Sequence, residues 1–335
     1  MLNYKTLKAM KKYIIPASFL ALAATMFTAC EKENYPAHEQ ESGTITVVAK
    51  AAGPVDSRTV VTPDEDGKGY QVVWDTKNKE TVRIFYMTPG AQNGLGNNGN
   101  DNNVVITVQE DDNTVGTFTI NNKKTIGETK VWVLYPAAAS RPDQSGKYPF
   151  LGKNNDVYTV IAPIQHPVNN GPDHNASIMF ATFDYPNSNY NSTQAEFKHV
   201  VAYGKLNFKN IENLEGDKIT SVKFTVNDSD AKVAGNCTLD AQTFQFKDVD
   251  GEPVPGQSVT LNWQDDGVAK DTDSHDIWFA MIPSYGEAYS SFDIEVTLDS
   301  GKTYTKHSEP AGGVKFNVGR VRPINVDMLT ATEKK

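Results

Sequence analysis

Cysteine is almost absent from this sequence, which has only Cys30 and Cys237 among its 335 residues. A disulfide framework therefore cannot hold the fold together. Positive charge is also scarce, because 32 lysines and arginines stand against 41 acidic residues and the formal net charge is −9. An acidic surface repels the phosphates of nucleic acids and of anionic membranes, so we expect no nucleic-acid partner.

Catalytic motifs are missing as well. The chain has no G-x-S-x-G nucleophile elbow, no H-E-x-x-H pair and no setting for a reactive cysteine. Gly94–Gly99 fits the pattern G-x-G-x-x-G, but the apolar residues that follow it predict a strand instead of the phosphate-binding helix. We therefore predict that the protein is not an enzyme and needs no cofactor. Carboxylates that come together only in the folded chain leave no pattern in the sequence.

Metal-binding patterns are incomplete. The acidic stretches Asp64–Gly67 and Asp271–Asp276 lack the distal glutamate of a calcium loop. His166 and His174 have no third zinc ligand near them in the sequence. Acidic turns are common in an acidic chain, so we predict no metal site.

The one long apolar run lies near the amino terminus. Two lysines precede it, and Thr28-Ala29 closes it directly before Cys30. A basic start, a short apolar core and small residues at the break are typical of a secretory signal peptide, here residues 1–29. The cysteine that follows resembles the lipobox of bacterial lipoproteins and predicts lipid attachment at Cys30. The alternative is an ordinary signal peptide with an incidental cysteine.

Removal of this segment would leave 306 residues with a net charge of −13, because the segment carries four lysines and no acid. Met10 offers a second candidate start for the chain. The polar residues 30–43 predict a flexible tether. Attachment to the outer membrane would come from acyl chains on Cys30, and two or more chains are needed for stable anchoring.

Polarity alternates with a period of two through most of the remaining sequence. Val222, Phe224 and Val226 alternate with polar residues, and 292–298 repeat the pattern. Such alternation is typical of half-buried antiparallel strands, and no helical periodicity extends beyond about two turns. We predict an all-β chain with an amino-terminal domain at 44–194, a carboxyl-terminal domain at 195–330 and a tail at 331–335. Four tryptophans are the expected core anchors: Trp74, Trp132, Trp263 and Trp278.

Two smaller features have open interpretations. Tyr185 and Tyr190 lie in the polar stretch FDYPNSNYNST, where exposed rings could contact a ligand such as a sugar. The alternative is a loop fixed by its own aromatic side chains. Cys237, in GNCTLD, is expected to be a small buried thiol on a strand.

Three stretches resemble the fimbrillin family of Bacteroidetes, the lipoprotein precursors of type V pilus subunits. They are SRTVVTPDEDGKGYQVVWDTKNKETVRIFY, FKHVVAYGKLNFKN, and IWFAMIPS with FDIEVTLDSGKTYTK and the closing VGRVRPINVDM. Pro323 and the TKNKE insert after Trp74 depart from the commoner pattern. The resemblance implies two transthyretin-like β-sandwich domains in tandem and a surface-exposed pilus component in adhesion or assembly. The charged residues after Cys30 resemble the export signal of surface lipoproteins in this phylum. A rival hypothesis is a stand-alone surface lipoprotein that binds a glycan.

The same resemblance gives Arg58 a role as a candidate site of proteolytic maturation. In assembling members of the family, cleavage after a basic residue removes the first strand, and a strand of a neighbouring subunit takes its place. The alternative is an ordinary exposed arginine. The polar end 330–335 offers no apolar alternation for a donor strand, which predicts a tip or accessory position. A donor strand within 313–329 that swings out on assembly remains the alternative.

Overall fold

Alternating polarity in the sequence corresponds to alternating burial in the computed structural model of the chain. From Phe292 to Leu298, every second side chain is buried and the others are partly exposed. The predicted all-β class is confirmed: the described residues form strands, turns and short 3₁₀ turns, with no α-helix among them. The structure describes residues 45–50, 60–63, 70–74, 79–86, 103–120, 129–141, 156–168, 171–185, 193–248, 254–263, 267–270 and 277–335.

The described residues form thirteen strands before residue 200 and eleven after it. The first thirteen are β1 (Ile45–Lys50), β2 (Val60–Pro63), β3 (Tyr70–Val73), β4 (Thr81–Tyr86), β5 (Val104–Val105), β6 (Thr107–Val108), β7 (Val115–Ile120), β8 (Thr129–Tyr135), β9 (Asp156–Ile161), β10 (Ile164–Gln165), β11 (Met179–Tyr185), β12 (Thr193–Glu196) and β13 (Lys198–His199). Two 3₁₀ turns, Ala137–Ala139 and His174–Ala176, separate some of these strands.

Eleven strands follow. They are β14 (Ala202–Lys209), β15 (Lys218–Val226), β16 (Gly235–Asp240), β17 (Phe246–Lys247), β18 (Ser258–Asn262), β19 (Val268–Ala269), β20 (Ile277–Met281), β21 (Phe292–Leu298), β22 (Thr303–Ser308), β23 (Val321–Asp327) and β24 (Thr332–Glu333). Two more 3₁₀ turns lie at Ile211–Asn213 and Met328–Thr330. Among the residues that the structure describes, no helix is long and apolar enough to span a membrane.

The strands form six sheets. Sheet I has four strands in the order β12-β1-β7-β6, and sheet II has five in the order β13-β11-β8-β4-β5. Sheet III has seven strands, β10-β18-β15-β21-β22-β24, with β19 beside β15. Sheets IV (β20-β14-β23) and V (β17-β16-β9) have three strands each, and β2 pairs with β3 alone. Most pairings are antiparallel; β1 with β12, β10 with β18 and β14 with β23 are parallel.

Sheets I and II enclose the smaller of two hydrophobic cores. Its residues come from alternate positions of the facing strands, as expected when each sheet buries one face. They include Val47 and Ala49 of β1, Phe118 of β7, Val131, Val133 and Tyr135 of β8, and Met179, Ala181 and Phe183 of β11.

The larger core fills the space between sheets III, IV and V. Sheet III contributes Phe224 and Ile294, and sheet IV contributes Leu206 and Phe279. The second face of sheet II belongs to the same core through residues that alternate with those above: Phe85, Trp132, Leu134 and Phe180. Sheet II is therefore buried on both faces.

Three of the predicted core tryptophans, Trp74, Trp132 and Trp278, are buried, and Trp263 packs partly buried against the larger core. All described residues lie in one compact unit, Gln40–Lys335. Strands β12 and β13 span the predicted boundary near residue 195 and join sheets I and II. The division into 44–194 and 195–330 stays a prediction.

Candidate functional site

The first strand, β1, lies inside its sheet instead of at an edge. It pairs antiparallel with β7 along all six of its residues, from Ile45–Ile120 to Lys50–Val115. On its other side it pairs parallel with β12, from Val47–Thr193 to Lys50–Glu196. The backbone of β1 thus completes two ladders at once. Without it, β7 and β12 would face each other across a slot one strand wide.

Side chains on both faces of β1 are covered. Val47 and Ala49 point into the smaller core and are fully buried, while Val48, on the opposite face, is also buried. Each buried valine side chain stabilises the strand by roughly 1.5–3 kcal/mol. The slot therefore requires a strand with apolar side chains as well as backbone hydrogen bonds.

A row of small residues crosses sheet I at Ala49. This row consists of Ala195, Ala49 and Gly116, which are in register on three adjacent strands. A Cβ atom added to Gly116 would approach Cγ2 of Ile106 to 2.4 Å and Cδ1 of Trp74 to 3.6 Å. The Gly116 end of the row therefore has no space for a side chain.

Trp74 is held tightly above this end of the row. Its ring contacts Tyr135 and Phe197 edge-on, with ring centroids 5.4 Å apart in both pairs. Its backbone N–H donates to the carbonyl of Asn113 at 2.7 Å. Because these partners fix the indole, the space near Gly116 cannot expand easily.

Two predicted site residues, Cys30 and Arg58, lie outside the described residues. The sequence nevertheless places Arg58 in the connection between β1, which ends at Lys50, and β2, which begins at Val60. Cleavage after Arg58 would therefore separate the piece that carries β1 from the rest of the chain. Lipid attachment at Cys30 and cleavage at Arg58 stay predictions.

Of the two tyrosines predicted as ligand contacts, the structure describes only Tyr185. Tyr185 is the last residue of β11, and its backbone pairs with Thr129 of β8, so it is not part of a loop. Tyr190 lies outside the described part of the chain. Their role as ligand contacts stays a prediction.

Both predicted histidines, His166 and His174, take part in local contacts of the fold. His166 Nδ1 lies 2.9 Å from the carbonyl oxygen of Asn262, and His174 begins a 3₁₀ turn. The carboxylate of Asp173 accepts hydrogen bonds from the backbone N–H groups of His166 and Asn175, at 2.8 Å each. Within the described ranges, no three histidine, cysteine or acidic side chains group as a metal site. Gly94–Gly99, Asp64–Gly67 and Asp271–Asp276 fall outside those ranges.

Cys237 is a free, buried thiol on β16, as predicted. Its Sγ lies 3.7 Å from the carbonyl oxygen of Thr159 on β9. Burial raises the pKa of this thiol to about 12. A thiol that stays protonated at neutral pH is a poor nucleophile.

The position of β12 as the second wall of the slot was not predicted from the sequence. Its signal was present, because Ala195 and Phe197 are apolar while Gln194, Glu196 and Lys198 between and beside them are polar. Five residues of alternation predict a strand. They do not identify its partner, since β1 lies far away in the sequence.

Comparisons with known proteins find similar structures but no similar sequences. No protein-family model matches the chain, and no curated protein matches it. Among solved structures, a candidate cell adhesion protein from Bacteroides uniformis is 14% identical, with 88% of this chain and 97% of that chain covered and a TM-score of 0.48.

Two further solved structures are similar over comparable lengths. A fimbrial assembly protein from Parabacteroides distasonis is 12% identical, with 87% of this chain and 93% of that chain covered and a TM-score of 0.40. The tip fimbrial protein Mfa3 from Porphyromonas gingivalis, with a C-terminal truncation, is 12% identical, with 87% and 97% covered and a TM-score of 0.35.

Proposed function

We propose that this protein is a surface lipoprotein of the fimbrillin type, and that it joins a pilus by exchanging β1 for a strand of a neighbouring subunit. The observation that carries the proposal is the position of β1 between β7 and β12. Loss of a strand at a sheet edge would expose only one unpaired backbone edge. Loss of an interior strand leaves two unpaired backbone edges and a vacated part of the core, which together can bind an incoming strand.

The slot defines what the incoming strand must look like. It must pair antiparallel with β7 and parallel with β12, because β1 does so. Two apolar side chains must replace Val47 and Ala49 in the core, at positions two apart. The second must be small, since it would stand beside Gly116 and Ala195 in the row described above.

Proteolysis after Arg58 is the step that we propose to prepare the exchange. While the chain is intact, the strand is tethered at high effective concentration and outcompetes a free strand. After the cut, β1 is held only by its own contacts and can be displaced. This order explains why a subunit would cross the periplasm in a closed form and assemble only at the surface.

An exchange experiment tests this step. The protein is cut after Arg58, and a fluorescent peptide that copies residues 43–52 is added. The cut protein should bind the peptide and release its own β1 fragment, as followed by anisotropy and mass spectrometry. The Arg58→Ala variant, treated with the same protease, should bind no peptide. No exchange into the cut protein, or equal exchange into the uncut variant, would contradict the proposal.

We further propose a terminal position in the pilus, at the tip or as an accessory subunit. Residues 332 and 333 belong to the protein's own sheet III, because Thr332 and Glu333 pair with Thr305 and Tyr304 of β22. Lys334 Nζ lies 2.9 Å from Glu295 Oε1, which adds an ion pair to this short strand. β23, a second candidate donor, buries Ile324 and Val326 in the larger core.

Polymerisation separates a terminal subunit from a repeating one. Protein cut after Arg58 should remain monomeric when kept alone, and a peptide from the carboxyl end of a shaft subunit should occupy its slot. Size-exclusion chromatography and electron microscopy measure both results. Long homopolymers from this chain alone would show that a donor strand lies within 313–329 and would overturn the terminal assignment.

Anchoring through Cys30 is the last part of the proposal, with the outer membrane as location. In the native organism, Cys30→Ala should produce an unacylated protein that membranes no longer retain. Fractionation and mass spectrometry of the amino-terminal peptide measure this. Unchanged retention of the variant would contradict the lipid anchor without affecting the proposal of strand exchange.

A further inference from the structure

A cleft in the carboxyl-terminal part of the chain shares no lining residue with β1, β7 or β12. It has a volume of about 480 Å³, and all of its lining residues lie between Asp228 and Tyr289. A second hollow of about 580 Å³ adjoins it and shares several lining residues, among them Asp230, Lys232 and Asp248. Small-molecule sites typically measure about 300–1,000 Å³, so either hollow could hold one ring of a ligand and the pair could hold a longer chain.

One aromatic ring is presented to this cleft from a tight turn. Tyr285 and Gly286 have φ angles of +48° and +96°, and the N–H of Glu287 donates to the carbonyl of Ser284 at 3.0 Å. Positive φ at both central residues is the pattern of a type I′ turn, which favours glycine, asparagine or aspartate. A tyrosine at the first of these positions is an outlier, and such outliers cluster at binding sites.

The turn and its ring are fixed at both ends. Ser284 exchanges hydrogen bonds with the buried Phe316: its N–H donates to the carbonyl at 2.8 Å, and its Oγ accepts from the N–H at 3.1 Å. At the other end, the hydroxyl of Tyr285 accepts a hydrogen bond from the N–H of Phe246 at 2.6 Å. The residue is nevertheless 37% exposed. Tyr285 is thus a rigid aromatic surface that needs little ordering when a ligand binds.

The cleft has an excess of negative charge, because both of its lysines are paired with aspartates. Lys232 pairs with Asp248 at 2.5 Å, and Lys247 pairs with Asp240. Asp228 accepts hydrogen bonds from the N–H and the hydroxyl of Ser290, at 2.9 Å each. The carboxylates of Asp230 and Glu287 line the same cleft and make no hydrogen bond or ion pair with any described residue. Both are exposed hydrogen-bond acceptors.

This combination selects a class of ligand. Two free carboxylates repel anions such as phosphate, sulfate or sialic acid. Quaternary ammonium ligands are recognised by cages of several aromatic faces, whereas the other rings of the cleft, Phe246 and Tyr289, are buried. A neutral sugar fits both features, because its C–H face can lie on one exposed ring and its hydroxyl groups can donate to carboxylates.

We infer that this cleft, the Tyr285 cleft, is a binding site for a neutral saccharide. One sugar ring stacks on Tyr285, and its hydroxyl groups donate to Asp230 and Glu287. The adjoining hollow, beyond the Lys232–Asp248 ion pair, accepts the next sugar of an oligosaccharide. The site differs from the tyrosines 185 and 190 that the sequence suggested, and it does not depend on strand exchange at β1.

Saccharide titrations of four variants test the inference. The probes are di- and trisaccharides of glucose, galactose, mannose and N-acetylglucosamine, with sialyllactose and choline as charged comparisons. Tyr285→Phe and Tyr285→Asn both lose the hydrogen bond to Phe246, but only the second loses the ring, and asparagine tolerates positive φ. Tyr158→Asn, on β9 outside the cleft, is the control for loss of a partly exposed tyrosine.

At least one neutral saccharide should bind the wild-type protein, the phenylalanine variant and the Tyr158→Asn control. Its Kd should rise about tenfold or more in Tyr285→Asn and several-fold when Asp230→Asn and Glu287→Gln are combined. Isothermal titration calorimetry and saturation-transfer NMR measure binding, and thermal melts confirm that each variant is folded. The inference is overturned if no neutral saccharide binds at roughly 10 mM, if Tyr285→Asn binds as well as wild type, or if only choline or sialyllactose binds.

Discussion

The side chain of Gln165 and the backbone of Ala280 form a reciprocal pair of hydrogen bonds. Gln165 Nε2 donates to the carbonyl of Ala280 at 2.6 Å, and the N–H of Ala280 donates to Gln165 Oε1 at 2.9 Å. Ala280 lies on β20, whose other edge pairs with β14. Since β10, which carries Gln165, pairs with β18 of sheet III, this amide joins sheets III and IV as a neighbouring strand would.

Replacement of this buried amide should therefore be costly. Gln165→Leu leaves the N–H and the carbonyl of Ala280 buried without partners, so we expect a loss of about 2–4 kcal/mol in the free energy of unfolding. Urea unfolding followed by tryptophan fluorescence measures the loss. Gln242→Leu, on an exposed turn, should change the free energy by less than about 0.5 kcal/mol. Equal effects of the two substitutions would show that Gln165 does not support β20.

Local patterns in the sequence predicted the strands but not how they combine. The alternation at 292–298 identified β21 because every second side chain of a half-buried strand must be apolar. The parallel pairing of β1 with β12 and the contact of Gln165 with Ala280 join residues more than a hundred positions apart. No local signal specifies such pairs, since they depend on how the sheets stack.

The two candidate sites also differ in how far the sequence predicts them. The order of β1, Arg58 and β2 is a property of the sequence, and the resemblance to fimbrillins was enough to select it. The Tyr285 cleft is different, because its lining comes from several separate segments. The residues Tyr285-Gly286 signal a turn, yet nothing near them indicates that Asp230 lines the same cleft.

Cys237 should be inert in the native protein. Its pKa is raised to about 12 by burial, so almost no thiolate exists at neutral pH and the sulfur is inaccessible to reagents. In a Cys30→Ala background, iodoacetamide should modify Cys237 only after unfolding in guanidinium. Intact-mass spectrometry over time measures the rates. Comparable labelling of native and unfolded protein would show that β16 opens readily next to β9.

His307 should make stability depend on pH. Its Nδ1 lies 2.6 Å from Asp293 Oδ1 and its Nε2 lies 3.1 Å from Glu309 Oε1, and these hydrogen bonds raise the pKa of the ring above 6.5. Because the folded pKa exceeds the unfolded one, the stabilisation is fully present below about pH 6.5 and is lost as the pH rises through the folded value. Urea unfolding between roughly pH 5.5 and 8 and NMR titration of the ring measure both effects.

The matched variant for this histidine is Asp293→Asn. It removes the charge that makes the shorter contact and should lower the pKa of His307 towards its ordinary value. The pH dependence of stability should shrink in parallel. If the ring titrates at the same pH in both proteins, the carboxylate contact does not exist in solution.

Gly204 should not tolerate even one added methyl group. A Cβ atom there would lie 2.1 Å from Cζ of Phe279, whose ring is buried and stacks on Phe224 at a centroid distance of 4.7 Å. We expect Gly204→Ala to lower the free energy of unfolding by about 1–3 kcal/mol. Gly256→Ala is the control, because its nearest neighbour would be 3.7 Å away, at an ordinary contact distance. Unfolding free energies that agree for the two variants would mean that Phe279 moves aside freely.

The row of small residues at the β1 slot makes the sharpest prediction for this fold. Ala49 is fully buried between Ala195 and Gly116, while Thr46 on the same strand is partly exposed. Ala49→Leu must push core side chains aside and should cost about 1–3 kcal/mol, whereas Thr46→Leu should change stability by less than about 0.5 kcal/mol. Because β1 is an interior strand, the loss should appear as faster hydrogen exchange in β7 and β12 together.

The same substitution in the 43–52 peptide should weaken its binding to the cut protein about tenfold or more, since 1.4 kcal/mol corresponds to a factor of ten. A peptide with leucine at this position that binds as well as the native one would show that the incoming strand uses a different register from β1.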